Sequence, residues 1–241
     1  MNLEKIRERL YVTPPVYPLH TVDAGGRFHI PEWEDYLDAH PGKREQLVLD
    51  GEGAPNIETR FSRGGLTHLE CFKQGIEYCP RSLLPRGYNW LLARELMGEL
   101  HANNQTRVLD YGCGAGNFGI LFATMGFAVD FLDVEGEITE FVRWRLQRRY
   151  LTCRVLNEEY LFKGEQYDLV NLWTVIEHIA DYRTVTQRVC DLVAPRGLLL
   201  FATSTMESGL DVMPKSGEAW VRHYIGERFT VSGCSTLFRK K

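Results

Sequence analysis

The stretch VLDYGCGAGNFG, Val108–Gly119, decides the fold, because an apolar strand leads through a glycine-rich loop into a helix. Glycine lets the backbone approach a ligand closely, and amides at a helix start offer hydrogen-bond donors. Taken from Gly114, the spacing Gly114-x-Gly116-x-x-Gly119 fits the dinucleotide-binding pattern. Taken from Gly112, the loop has three alternating glycines preceded by an acid. The two interpretations predict different cofactors.

Two acidic residues bear on this choice. Asp110 stands two residues before Gly112, where a carboxylate would repel a pyrophosphate, and this favours a cofactor without phosphate at the loop. Asp133 ends the next apolar run, 19 residues after Gly114 and 21 after Gly112. An acid at that strand end accepts ribose hydroxyls in either case, so Asp133 does not separate the two interpretations.

Apolar runs of strand length alternate with helix-length segments from Arg107 onward. This alternation predicts an α/β fold with a parallel sheet covered by helices on both faces. The end of the chain, ERFTVSGCSTLFRKK, predicts a hairpin of two strands, which would make the sheet mixed. The five strands predicted before that hairpin span residues 107–111, 127–133, 152–157, 167–173 and 197–203.

Four motifs stand in order along this region: VLDYGCGAG, FLDVEG, YDLVNLWTVIEHIADY and LVAPRGLLLF. With them, the sequence from Val108 to about Thr205 resembles the class I S-adenosylmethionine-dependent methyltransferases. The motifs are most similar to those of the ubiquinone-type and related small-molecule O-methyltransferases. The resemblance implies a Rossmann-like, seven-stranded mixed sheet and S-adenosylmethionine as cofactor. It further implies methyl transfer to a small-molecule acceptor, with oxygen as the expected accepting atom.

The resemblance also implies a set of cofactor contacts. Asp133 would accept the ribose hydroxyls, and Asn157 or Glu158 would lie beside the adenine amino group. Asp110 would lie near the cationic methionine end or, alternatively, would brace the loop. Trp173 would face the cofactor and substrate, or would be a core aromatic. The full predicted set is Asp110, Gly112, Cys113, Gly114, Gly116, Asn117, Asp133, Val134, Asn157, Glu158, Leu172 and Trp173.

Glu177 and His178 follow the fourth predicted strand and are the first candidates for acid–base chemistry. A histidine there can remove a proton from a hydroxyl near neutral pH. Alternatively, Glu177 favours a helix start through its charge and His178 packs beside it. In ubiquinone-type relatives an acid three residues earlier completes a divalent-metal site, but Thr174 stands there in this chain. We therefore predict no metal.

Two further charged or aromatic segments have less specific interpretations. His223 and Tyr224 are second catalytic candidates, although an ordinary place on a helix is the simpler expectation. The segment RWRLQRR, residues 143–149, is interpreted as the solvated outer face of a helix rather than a basic patch.

The first third of the chain, residues 1–85, contains eight of the ten prolines. We predict an irregular N-terminal extension there, with one amphipathic opening helix and two short strands within residues 47–61. Residues 86–241 would form the cofactor-binding domain, starting with a helix from Tyr88 to His101. The extension is a candidate substrate lid, with Phe72, Tyr78, Arg86 and Tyr88 as candidate contacts. A structural wrap over the sheet edge is the alternative.

Composition narrows the classes of function. The 241 residues carry a formal net charge of −4, which argues against a nucleic acid as the main partner. Six scattered cysteines form no Cys-x-x-Cys pair, and no apolar stretch is long enough for a signal core or membrane helix, so we expect a soluble, cytoplasmic protein. Remaining alternatives are an inactive S-adenosylmethionine-binding partner protein, an NAD(P)-dependent oxidoreductase, and a protein or nucleic-acid methyltransferase.

Overall fold

The computed structural model of the chain describes residues 21–22, 28–29, 31–43, 96–157, 164–203, 212–232 and 234–241. Several predictions lie outside these ranges. They are the opening helix, the strands within residues 47–61, and the lid candidates Phe72, Tyr78, Arg86 and Tyr88. Of the helix predicted from Tyr88, residues 96–102 are described and are helical (α2).

A seven-stranded mixed sheet organises the described part of the chain. Its order is β5-β4-β3-β6-β7-β9-β8, with neighbours parallel except for β9, which is antiparallel to both β7 and β8. The predicted fold class and the closing hairpin are confirmed. The strands are β3 (Arg107–Tyr111), β4 (Ala128–Leu132), β5 (Arg154–Leu156), β6 (Tyr167–Trp173), β7 (Val193–Ala202), β8 (Phe229–Ser232) and β9 (Cys234–Lys240).

One strand is longer than predicted. β7 begins at Val193 rather than at residue 197, because Val193 already pairs with Tyr167. The Ala-Pro-Arg-Gly segment, most of which precedes the predicted strand, is an irregularity inside β7, with Arg196 at a φ of 63°.

Helices cover both faces of the sheet, and strand residues alternate between two hydrophobic cores. Val108, Leu169 and Leu198 point into one core, whereas their neighbours Leu109 and Val170 point into the other. Burial on both faces explains the near-continuous apolar character of these strands. The helices are α3 (Asn117–Thr124), α4 (Glu137–Arg148), α5 (Tyr182–Leu192) and α6 (Lys215–Arg228).

The first third of the chain contributes regular structure that the sequence interpretation missed. A helix, α1, spans Pro31–Ala39, and a two-residue ladder joins β1 (Thr21–Val22) to β2 (Phe28–His29). Trp33, Tyr36 and Leu37 are buried, and they pack with Phe141 of α4. The expectation of an irregular segment is therefore wrong for Pro31–Ala39. The sequence does contain a signal for this helix. A proline begins it, and the three apolar residues follow at positions i, i+3 and i+4.

The strand order places the candidate site. From β3 the chain runs outward through β4 and β5, and then returns to continue from β6 on the other side of β3. Ligands of such sheets bind outside the carboxyl ends of the strands at this switch point, here between β3 and β6. Among the described residues, no helix is both long and apolar enough to cross a membrane.

Candidate cofactor and active site

The glycine loop, residues 112–116, joins β3 to α3 at the switch point. Gly112, Gly114 and Gly116 all have left-handed backbones, with φ values of 67°, 53° and 77°. A β-carbon on Gly112 would lie 2.3 Å from Cγ2 of Val175, which follows β6. Glycine is therefore required at position 112 for two reasons: the backbone is left-handed, and the Val175 side chain leaves no room for a β-carbon. The Gly112 and Cys113 amides donate to the Leu132 carbonyl at 2.7 and 3.0 Å, and this ties the loop to β4.

Asp133 lies beside this loop, and its contact with a ribose stays a prediction. Its Oδ2 accepts a hydrogen bond from the Gly114 amide at 2.7 Å, and its Oδ1 accepts one from the Val134 amide at 2.8 Å. The side chain is only partly buried. This partly exposed carboxylate at the carboxyl end of β4 can accept hydrogen bonds from the hydroxyl groups of a ligand held by the loop.

Asp110 is enclosed, with 1% of its surface exposed. Its two oxygens accept from the Gly119 amide at 2.9 Å and from Nδ2 of Asn171 at 2.7 Å. Burial raises the pKa of Asp110 to about 7, although both hydrogen bonds oppose the rise. Gly116, the N-cap of α3, has no side chain, so Asp110 does the work of a capping residue at this helix. These contacts favour the loop-bracing role; a contact with the methionine end stays a prediction.

The carboxyl end of β6 forms the opposite side of the switch point. Leu172 is fully buried in the core, whereas Trp173 is partly exposed and packs against the other core. Thr174 has a φ of 53°, which is rare for a β-branched residue, and its amide donates to the Ala202 carbonyl at 2.8 Å. The left-handed turn at Thr174 directs the chain so that Val175 packs against the glycine loop.

Glu177 and His178 lie in the single 3-10 turn Ile176–His178 that follows. Glu177 is 4% exposed, and its backbone carbonyl accepts from the amides of Val212 and Met213 at 3.0 and 3.1 Å. His178 is partly exposed. Because this turn follows the carboxyl end of β6, both residues lie at the edge of the sheet that carries the glycine loop, and their catalytic roles stay predictions.

The remaining predicted contacts are dispersed around this edge. Asn157 is exposed directly after β5, and Glu158 lies outside the described residues. Cys113 sits in the loop, where burial raises the pKa of its thiol well above its usual range. Asn117 begins α3, and its Oδ1 accepts a hydrogen bond from Arg145 at 2.8 Å.

Arg145 is the residue that the sequence interpretation placed wrongly. A solvated face was expected for residues 143–149, but Arg145 is 0% exposed. Its guanidinium donates to the Ala115 carbonyl, to Oδ1 of Asn117 and to Oε2 of Glu32, the last at 3.1 Å. A buried guanidinium is tolerated because carbonyl and carboxylate oxygens replace water around it. His223, by contrast, is an exposed residue on α6 as expected, with Nε2 3.6 Å from Glu227.

Comparison with known proteins identifies the family. The chain matches the model of a methyltransferase domain over residues 82–238, which is more than half of its length. It belongs to this family. The predicted membership of the S-adenosylmethionine-dependent methyltransferases is confirmed, and the register that starts at Asp110 and Gly112 is favoured over the dinucleotide register.

Individual relatives are more distant. The chain is 34% identical over 104 residues to a ubiquinone biosynthesis O-methyltransferase of Shewanella sp. (strain ANA-3). The aligned region covers 40% of this chain and 43% of the relative. It is 29% identical over 131 residues to the protein of that name from Klebsiella pneumoniae, covering 52% of this chain and 50% of the relative. The chain thus spans about half the length of these relatives.

A solved structure with a similar fold is the magnesium protoporphyrin IX methyltransferase of Synechocystis PCC 6803 with bound SAH. The TM-score is 0.50 at 17% identity, covering 86% of this chain and 97% of that one. At this identity the likeness concerns the fold alone.

Proposed function

We propose that the protein transfers a methyl group from S-adenosylmethionine to an oxygen atom of a small molecule. The observation that carries the proposal is the glycine loop with Asp133 held against it, at the switch point of a methyltransferase-domain sheet. Oxygen as the accepting atom is supported by the relatives from Shewanella and Klebsiella, which are named O-methyltransferases.

The residues around the loop fit this cofactor. Asp110 and Asp133 are near enough for the charge of Asp133 to contribute to the raised pKa of Asp110. The carboxylate of Asp133 at the loop disfavours a pyrophosphate and suits a ligand with cationic groups and ribose hydroxyls. The glycines would hold its methionine and ribose parts, and Asp133 would accept the ribose hydroxyls. Val134, Asn157 and Trp173 are proposed to surround the rest.

The chemistry divides between cofactor and protein. S-adenosylmethionine, when bound, supplies a methyl group activated by its sulfonium. The protein's task is to hold the acceptor in line with that methyl group and to exclude other geometries. We assign His178 as the base that accepts the proton of the acceptor hydroxyl, and Glu177 as its supporting carboxylate. The backbone bonds from residues 212 and 213 to the Glu177 carbonyl fix the turn that carries both.

Cofactor binding is tested by calorimetry with S-adenosylhomocysteine, with NADH and NADPH in parallel. Asp133→Ala should weaken the binding of S-adenosylhomocysteine about 10- to 100-fold, which is the loss of affinity expected when one hydrogen bond to a charged group is removed. Asp168→Ala is the matched control, because Oδ2 of Asp168 also holds two backbone amides, Thr106 and Arg107, but at the amino ends of the strands. Binding of a nicotinamide cofactor instead, or equal effects of the two variants, would refute the proposed site.

The base is tested with hydroxyl-bearing small molecules and labelled S-adenosylmethionine. His178→Ala should lower kcat by about 100-fold or more while leaving the affinity for S-adenosylhomocysteine unchanged. His223→Ala, at the exposed histidine of α6, should change neither. A protein that binds the cofactor tightly but methylates none of the acceptors would favour the alternative of an inactive binding partner.

A further inference from the structure

The guanidinium of Arg145 joins two parts of the chain that are far apart in sequence. On one side it donates to the Ala115 carbonyl inside the glycine loop and to Asn117, the first residue of α3. On the other side it donates to Glu32 of α1. Only arginine can do this, because its planar fork carries five donors in fixed directions, whereas a lysine ammonium is a single point charge.

Glu32 is enclosed together with its partners. It is 8% exposed and accepts from Arg149 as well as from Arg145. Burial would raise the pKa of Glu32, but the two guanidiniums outweigh it and hold the pKa below its usual value. The carboxylate therefore stays ionised at neutral pH, and Arg145 keeps a charged partner on α1.

The loop carbonyl that Arg145 holds lies between two residues on which the cofactor site depends. The Gly114 amide is bound by Asp133, and Gly116 is the left-handed N-cap of α3. Ala115 itself is 2% exposed and packs in one cluster with Trp33 and Tyr36 of α1. The loop backbone is thus braced from β4 through Asp133 and from α1 through Arg145.

We propose that Arg145 is a positioning residue that couples the docking of α1 to the shape of the glycine loop. Glu32 then strengthens cofactor binding through Arg145 and the Ala115 carbonyl. The statement about cofactor affinity rests on the proposed function; the statement about loop shape does not.

A second ion pair between the same two helices provides the matched control. Nη2 of Arg148 in α4 lies 2.5 Å from Oδ2 of Asp35 in α1, and about half of each side chain is exposed. This pair contributes to holding α1 on α4. Arg148 also lies over the ring of Trp144, but neither Arg148 nor Asp35 donates to or accepts from the glycine loop in the contacts given for them. Glu32→Gln and Asp35→Asn therefore each remove one negative charge from α1. Only Glu32 is connected to the glycine loop through Arg145.

The experiment measures amide exchange and ligand affinity in the folded chain of 241 residues. In the ligand-free protein, the peptide covering residues 112–119 should exchange faster in Glu32→Gln and Arg145→Lys than in the wild type. In Asp35→Asn and Arg148→Lys it should exchange as in the wild type. Calorimetry with S-adenosylhomocysteine, well below the melting temperature, should show affinities about 5- to 20-fold weaker in the first two variants alone.

The outcomes separate the hypotheses. A merely structural role would lower the melting temperature but leave loop exchange and affinity unchanged, and that result would overturn the coupling. Equal behaviour of Glu32→Gln and Asp35→Asn would overturn it as well. If Arg145→Lys fails to fold, the result for Glu32→Gln decides whether α1 and the loop are coupled. This substitution keeps the volume of the side chain and one hydrogen-bond acceptor. If the wild type binds no S-adenosylhomocysteine, the proposed function fails, while the exchange data still decide whether α1 and the loop are coupled.

Discussion

Tyr150 and Gly112 share a backbone conformation but not an environment. Tyr150 ends the turn after α4 with a φ of 55°, and 95% of its surface is exposed. Gly112 has a φ of 67°, but the side chain of Val175 occupies the place of a β-carbon. At the amino ends of the strands a left-handed residue only reverses the chain, so any residue that accepts the local strain is tolerated. At the carboxyl ends the same conformation also brings the backbone of Gly112 against the side chain of Val175.

The two edges of the sheet differ in the same way as these two residues. Asn104, Gly126 and Tyr150 supply one left-handed residue each to the helix-to-strand turns before β3, β4 and β5. The carboxyl edge concentrates three such glycines in the loop of residues 112–116, and adds Thr174 across from them. Left-handed residues at the amino edge are spread over separate turns, whereas the three glycines of the loop follow one another within five residues, where a ligand is expected.

The largest effect is predicted for a substitution that disrupts the contact between Gly112 and Val175 at the carboxyl edge. Gly112→Ala combines left-handed strain with overlap on Val175, so unfolding free energy should fall by about 2 to 5 kcal/mol. Gly164→Ala has a similar φ of 74° with nothing within 4 Å, so it should cost only the strain of about 1 to 2 kcal/mol. Urea unfolding measures both, and Val175→Ala should restore part of the loss in Gly112→Ala alone. Equal costs would refute the contrast.

A pH-dependent effect is expected for the buried carboxyl at the same edge. Because burial raises the pKa of Asp110 to about 7, the folded protein retains a proton that the unfolded chain releases near pH 4. Folding stability from this group should therefore be fully present in acid and fall as the pH rises from about 4 to about 7, by a few kcal/mol at roughly 1.4 kcal/mol per pH unit.

Asp110→Asn isolates this contribution. Its amide can donate to Oδ1 of Asn171 if that side chain flips, since Oδ1 receives no hydrogen bond from the described residues. The difference in unfolding free energy between wild type and variant should decrease with pH across this window. A difference that is constant with pH would show that the carboxyl titrates normally.

The smallest effect concerns the amino edge. Tyr150→Gly should relieve left-handed strain at an exposed turn and change stability by no more than about 1 kcal/mol, towards stabilisation. The affinity for S-adenosylhomocysteine should stay at its wild-type value, because the turn lies at the opposite edge from the loop. A loss of affinity would mean that the two edges are not independent.

The sheet and the loop were predictable because their signals are local. Apolar runs of strand length and alternating glycines depend on neighbours in sequence, and the strands from Arg107 to Trp173 lie within two residues of their predicted bounds. Asp133 follows β4, close to the strand end predicted for it, and its hydrogen bond from the Gly114 amide is a contact that the sequence alone did not indicate.

Arg145 was not predictable in this way, because its environment is made by a segment more than 100 residues earlier in the chain. The pairing of Arg145 with Glu32 requires the docking of α1, and no local pattern around residues 143–149 encodes it. A nine-residue helix in a proline-rich region also gives a weak periodic signal. The bracing role of Asp110 was one of two stated interpretations, and only its contacts with Gly119 and Asn171 favour one over the other.

The position of β9 has a consequence for how the chain acquires its structure. β9 lies between β7 and β8, so the outer edge of β7 stays open until residues 234–240 are available to pair with it. That edge carries Leu198, Leu199 and Leu200, which are fully buried only in the finished sheet. During synthesis on the ribosome it is an unprotected, apolar edge of the kind that attracts other strands. Shielding by a chaperone would matter most in the interval between the synthesis of β7 and that of β9.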